Sequence, residues 1–367
     1  MEKKFIISGG GTGGHIFPAL SIANEIRKRD PGARILFVGA LGRMEMERVP
    51  AAGYPIVGLP VEGLRRKIGF RNLLVLYKLI ISLIKARHVL NSFRPGVVVG
   101  VGGYASGPLL RIANRMKIPT LIQEQNSYAG VTNRLLANKA ARICVAYPGM
   151  EKYFPASKIV VTGNPVREEI ITTLIKRSDA FEFFNIAGDK QVLLILGGSL
   201  GARTINESIL NGIRELEEAN IQVLWQTGKH YYSMMAETIE PLGLKNIRCL
   251  DFINRMDLAY GIADTIISRA GAGTISELCL VGKPVILVPS PNVAEDHQTR
   301  NALALVQREA ALMVTDQEAP ARLVNEAIHL MKDEKLKETL GKNCSQMAIR
   351  GSASKIVDEI LKLIPAK

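Results

Sequence analysis

The chain has 367 residues, and its 47 Lys and Arg against 34 Asp and Glu leave a formal net charge of +13 at pH 7. That length suggests about two domains, and 47% hydrophobic with 22% charged residues excludes intrinsic disorder as the main state. A pI near 9.6 points to an anionic partner, whether nucleic acid, a phosphorylated substrate or the anionic face of a membrane.

Cys144, Cys249, Cys279 and Cys344 lie far apart, with no CxxC among them. This indicates neither a disulfide framework nor a zinc site and fits a reducing cytosol. The segment Met1–Ser8 offers a run of three apolar residues before its glycines, fewer than the roughly 7–15 of a signal peptide, so no export is expected.

In chain order, short β-branched runs alternate with longer helical stretches: Phe5–Ile7, Arg34–Val38, Val97–Val99, Pro119–Ile122, Arg142–Val145 and Ile159–Val161. The pattern restarts at Val192–Leu196 and continues through Val223–Trp225, Thr265–Ile267, Pro284–Val288 and Leu312–Val314. Both halves therefore read as parallel α/β. Each opens with a strand, a Gly-rich turn and a helix: Phe5–Gly14 before a helix at Ala19–Arg29, and Leu193–Gly201 before one at Asn206–Leu216. Helix N-terminal amides at such turns cradle anions. The reading is two Rossmann-like domains with a ligand in a cleft between them, hinged near Gly163-Asn-Pro165.

Gly9–Gly14 satisfies G-x-G-x-x-G. The dinucleotide reading also needs an acid near the end of the second strand, and Phe37-Val-Gly39 supplies none; tight strand-to-helix packing is the other use of such glycines. His15, directly after the turn, could deprotonate an acceptor hydroxyl or simply cap or pack on the first helix. Ser268–Glu277 is a second Gly-rich helix entry suited to a diphosphate. There Glu277 could bind a ribose diol, or Thr274-Ile-Ser-Glu277 could be a capping box. Glu124-Gln-Asn126 falls at a strand's C-terminal end, where open α/β sheets bind ligands. The polar run Pro289–Asn301 suits sugar hydroxyls or a solvated helix start. No D-x-D occurs, so no metal site is assigned, and helix dipoles and Arg would stabilise a leaving diphosphate.

Residues 70–87 predict a strongly apolar helix preceded by Arg65-Arg-Lys67 and interrupted by Lys78. Between Arg71 and Lys85 it is shorter than the about 20 residues that cross a bilayer. It reads as lying in an anionic interface or as an ordinary buried helix.

Gly10–Ala19, Gln123–Asn126, Gly163–Arg167, Gly197–Arg203, Arg269–Glu277 and His297-Gln-x-x-Asn301 together resemble the MurG family. These bacterial transferases add N-acetylglucosamine (GlcNAc) to undecaprenyl-diphosphate-linked N-acetylmuramoyl-pentapeptide, converting lipid I to lipid II in peptidoglycan synthesis. The resemblance implies a GT-B fold, with an N-terminal acceptor and membrane domain at 1–163 and a UDP-GlcNAc domain at 164–350. A C-terminal helix at about 351–367 returns to the first domain. It further implies His15 as catalytic base. Thr12, Gly13, Gly14 and Asn126 would contact donor sugar or diphosphate, with Arg167 and Ser199 near the diphosphate. Ile253 would meet uracil through its backbone, and Gln298 would bind GlcNAc hydroxyls. Ala272, Gly273, Thr274, Ile275, Ser276 and Glu277 would bind the nucleotide. Leu200 stands where many members carry Gln or Ala. No cofactor and no nucleic acid is implied. The implied setting is peripheral, on the cytoplasmic face of the plasma membrane, through the helix near 65–87.

Overall fold

Runs of Val, Ile and Leu too uniformly apolar for a half-wet sheet must be covered on both faces, and both halves of the chain solve this with a parallel sheet between helices. A computed structural model describes residues 2–11, 13–62, 70–166, 176–198, 200–293 and 296–364, the side chains of 70–73 excepted. These residues form two compact units, one of 1–166 with 351–367 and one of 167–350.

The first unit carries β1 (Lys4–Ser8), β2 (Arg34–Ala40), β3 (Ile56–Leu59), β4 (Val97–Gly100), β5 (Thr120–Glu124), β6 (Arg142–Val145) and β7 (Ile159–Val161). All neighbours are parallel, in the order β3-β2-β1-β4-β5-β6-β7. Its helices are α1 (Gly13–Arg29), α2 (Glu45–Ala51), α3 (Phe70–Phe93), α4 (Ser106–Arg115) and α5 (Val131–Ala137). One sheet face packs on Ile22 and Ile26 of α1, the other on Ala86 and Leu90 of α3 and Leu109 of α4.

The second unit carries α6 (Arg177–Phe184), β8 (Val192–Leu196), α7 (Arg203–Asn211), α8 (Ile213–Glu218), β9 (Gln222–Gln226), α9 (Tyr232–Ile239), β10 (Ile247–Leu250), α10 (Met256–Ile262), β11 (Thr265–Ser268), α11 (Ala272–Val281), β12 (Val285–Leu287), α12 (His297–Val306), β13 (Leu312–Met313), α13 (Ala319–Lys332) and α14 (Glu334–Gln346). Its parallel sheet has the order β10-β9-β8-β11-β12-β13. The last helix, α15 (Ser352–Lys362), belongs to the first unit. Its Ile356, Val357 and Ile360 are buried in the core that holds α1, and Arg29 bonds Asp358 and the Ser354 carbonyl.

Several elements differ from the sequence reading. The first helix begins at Gly13 rather than near Ala19, with Pro18 inside it, so His15 still follows the Gly-rich turn but lies in the helix's first turn. The helix expected over 206–216 is two helices meeting at Gly212. The helix expected over 70–87 runs on to Phe93. The first unit extends through Val166 because Asn164 is buried and bonds Gln123 Nε2 through its own Oδ1. Its Nδ2 donates to the Gln125 carbonyl.

Candidate functional site

In an open parallel sheet the ligand crevice opens where neighbouring strands send their connections to opposite sides. The strand orders place that point between β1 and β4 in the first unit and between β8 and β11 in the second. Three of the four loops leaving those strands are Gly-rich motifs singled out in the sequence.

In the first unit, His15 Nδ1 lies 3.1 Å from the Gly10 carbonyl. A carbonyl only accepts, so Nδ1 carries the proton and Nε2 is the basic nitrogen. The loop after β4 fits closely against this ring. A Cβ at Gly102, whose φ is +100°, would lie 2.8 Å from His15 Cδ2 and Nε2, so only glycine serves there.

At the end of β5, Glu124 is fully buried and accepts from the Asn126 amide (3.0 Å), Asn126 Nδ2 (3.3 Å), the Gly130 amide (3.0 Å) and Asn133 Nδ2 (2.8 Å). Burial holds its carboxyl above the ordinary carboxylate range against the pull of these donors. Glu124 thereby fixes the side chain of Asn126.

One acid was missed. Glu45, the first residue of α2, turns its carboxylate back to the end of β2, where it accepts from the Ala40 amide at 2.9 Å and from the Gly11 amide at 2.9 Å. An acid therefore does stand beside the second strand's end. Both its oxygens hold backbone amides, so it does not revive the dinucleotide reading. The only signal was a Glu opening a helix a few residues past the strand.

In the second unit, α7 follows the turn after β8 and α11 follows the turn after β11, so two helix N-termini, each positive, meet the same crevice. The N-cap of α11 is Gly271, with no side-chain cap. Thr274 is then already the third helical residue, and the capping-box reading of Thr274–Glu277 is replaced by one in which Glu277 lies on the second turn. Ala272, Gly273, Thr274, Ile275 and Ser276 form the helix's opening.

Arg269 donates to the carbonyls of Val288 (3.0 Å) and Pro289 (3.2 Å) and pairs with Asp316, which also accepts from Thr204 Oγ1 at 2.8 Å. One guanidinium thus ties together the loops that follow β11, β12 and β13. Gln298, on the first turn of α12, accepts the Ser290 amide through Oε1 at 2.9 Å, which leaves its Nε2 as the donating end. A cleft of about 560 Å³ is lined by Arg203, Thr204, Arg269, Asn292 and Gln298, among others, within the range of small-ligand sites.

Ile253 is buried, and its amide donates to Gln226 Oε1 at 2.9 Å. A base contact from this residue therefore falls to its carbonyl. Leu200 is 57% exposed. Thr12, Arg167 and Ser199 lie outside the described residues, as do Arg65, Arg66 and Lys67.

The outer face of α3 is apolar. Leu76, Tyr77, Ile80 and Ile84 are 53%, 61%, 51% and 67% exposed, while Val75, Ser82, Ala86, Val89 and Leu90 are buried. Lys78 pairs with Glu62. Among the described residues no helix is long and apolar enough to cross a membrane.

Residues 5–145 match the glycosyltransferase family 28 N-terminal domain and residues 192–358 its C-terminal domain. A relative from Parabacteroides distasonis, the UDP-N-acetylglucosamine--N-acetylmuramyl-(pentapeptide) pyrophosphoryl-undecaprenol N-acetylglucosamine transferase, is 56% identical with 100% of both chains covered. The protein of the same name from Bacteroides thetaiotaomicron is 56% identical over 100% of this chain and 99% of its own. The crystal structure of Acinetobacter baumannii MurG superposes with a TM-score of 0.81 at 28% identity, covering 99% of this chain and 100% of that one.

Proposed function

The chain belongs to glycosyltransferase family 28, and from that premise we propose that it moves GlcNAc from UDP-GlcNAc to the C4 hydroxyl of the N-acetylmuramoyl-pentapeptide of lipid I, with inversion. It is a UDP-GlcNAc-dependent hexosyltransferase of peptidoglycan synthesis, built on the GT-B fold. The observation that carries the assignment of donor to the second unit is the pair of Gly-rich turns at its switch point, each leading into a helix N-terminus.

The diphosphate lies at the starts of α7 and α11, where backbone amides facing the turn and the helix dipoles favour negative charge. Glu277 accepts from the ribose diol. The Ile253 carbonyl matches the N3–H of uracil, since its amide is already engaged. Gln298 Nε2 donates to a GlcNAc hydroxyl because Ser290 holds its oxygen.

In the first unit, His15 Nε2 takes the proton of the C4 hydroxyl as that oxygen bonds to the anomeric carbon. The bond from the anomeric carbon to the phosphate oxygen breaks, and the charge arriving on UDP is held by amides and arginine. By the family's motifs, Thr12, Gly13, Gly14 and Asn126 are assigned to the donor sugar or diphosphate, with Arg167 and Ser199 serving the diphosphate.

The acceptor's polyprenyl tail stays in the bilayer, so the enzyme works at the surface of the cytoplasmic face of the plasma membrane as a peripheral protein. The apolar outer face of α3 is the surface we assign to it, with Lys85 and Arg87 beside it and Arg65-Arg-Lys67 preceding it in sequence. UDP is expected to raise the thermal midpoint, as any ligand of the native state does, and NADH to leave it unchanged. A shift with NADH and none with UDP would overturn the donor assignment.

A further inference from the structure

We infer that Glu45 is a positioning residue for the transfer: its buried carboxylate closes the Gly-rich turn of the first unit and thereby fixes where His15 stands. The inference rests on the reading of His15 as the base. Glu45 has 0% exposure, and a carboxylate withdrawn from water is costly unless its oxygens are well bonded. Among the described residues no cation pairs with it. Its bonds are instead the two backbone amides, Ala40 to Oε1 and Gly11 to Oε2, and such charge-assisted bonds are stronger and shorter than neutral ones.

The turn is built around this group. A Cβ at Gly10 would collide with the carboxylate, and one at Gly39 would lie 2.6 Å from Glu45 Cγ. Gly10 and Gly39 are therefore glycines because Glu45 occupies their side-chain space.

The link to chemistry is one residue long. Gly11 gives its amide to Glu45, and the preceding residue, Gly10, gives its carbonyl to His15 Nδ1. Holding the Gly11 amide sets the peptide plane on its N-terminal side, which is the plane of the Gly10 carbonyl. That carbonyl fixes both the tautomer and the tilt of the imidazole. A Gly-rich turn ahead of a helix ordinarily offers its amides to a bound anion. Here the protein supplies the anion itself, and the amide of Gly11 serves geometry rather than ligand.

Glu45→Gln keeps the shape but puts an amide NH₂ where an oxygen faced an N–H. In full-length enzyme turning over UDP-GlcNAc and a lipid I analogue, we expect kcat to fall about 10- to 100-fold, with KM for UDP-GlcNAc within about twofold. In a His15→Ala background the same substitution should cost little more, because the two residues act as one unit. Gly10→Ala, which pushes on the carboxylate without removing it, should reproduce the kcat loss. UDP binding by calorimetry reports that the second unit is intact. If Glu45→Gln loses UDP binding through misfolding, the Gly10→Ala protein carries the same two expectations. Unchanged kcat, a loss confined to KM, or losses that multiply in the His15→Ala background would overturn the role. Absence of transfer by the unaltered enzyme would instead overturn the reading on which it rests.

Discussion

A neutral imidazole presents one basic nitrogen, and in this chain the Gly10 carbonyl, bonded to His15 Nδ1, makes that nitrogen Nε2. His15 could be singled out in the sequence by its place after the glycines; the tautomer could not, since it depends on where Gly10 and Gly102 lie in space. With Nε2 as the proposed base, His15→Ala should lower kcat by about 10²- to 10⁴-fold while UDP affinity stays nearly intact. A loss confined to KM would mean that His15 positions substrate. Glu277 presents the same division between residue and geometry. Its motif allowed a capping box, and only the start of α11 at Ala272 removes that option. Glu277→Ala should therefore weaken UDP binding by roughly 1.5–3 kcal/mol, as for loss of a charged hydrogen bond, measured by calorimetric titration. Unchanged affinity would contradict the ribose contact. Glu45 escaped the sequence reading because its partners are amides, and amides carry no residue-type signature.

Burial made the central strands legible, while edge strands were read only where their run was uniformly apolar, as in Ile159–Val161. The central strands, such as Val97–Gly100 and Val192–Leu196, are apolar throughout because both faces are covered. The two strands that went unread, Ile56–Leu59 and Ile247–Leu250, are edge strands of their sheets and only partly buried, so their pattern is short and mixed. On α3 the apolar content was plain, but which side faced the sheet was not. Leu76 and Ile80, which a buried-helix reading would place inside, are exposed, whereas Val75, Ser82, Ala86 and Leu90 are inside.

This arrangement makes α3 testable without disturbing the core. Ile80→Glu with Ile84→Glu should leave thermal stability nearly unchanged, since surface substitutions away from packed features typically shift it by about 0.5 kcal/mol or less. Burying one such side chain contributes about 1.5–3 kcal/mol. The double variant should therefore bind anionic vesicles at least about tenfold more weakly in a sedimentation assay. Equal binding would move the membrane surface elsewhere. The return helix α15 is the opposite case. Ile360 is fully buried, so Ile360→Ala should destabilise the first unit by about 2–5 kcal/mol, seen as an earlier transition in chemical denaturation. A change under 1 kcal/mol would contradict its place in that core.

The architecture is one device used twice: a parallel sheet whose central pair of strands marks a ligand crevice at its switch point. The alternation of strand and helix made this legible, together with the restart at Val192. The division of labour was less so, because Gly9–Gly14 and Gly197–Gly201 look alike as sequence. They differ in what occupies the turn and its surroundings. The first has its own carboxylate and a histidine of fixed tautomer, and the second has two helix starts and an arginine tying three loops. That asymmetry fits the transfer proposed above, in which the first unit holds and activates the acceptor and the second holds the nucleotide donor and stabilises its departure. Full-length enzyme given UDP-GlcNAc labelled in the sugar and a lipid I analogue tests this most directly. The account predicts that one labelled GlcNAc appears on the muramoyl sugar for each UDP released. Donor binding without passage of label to the acceptor, or release of label to water alone, would contradict it.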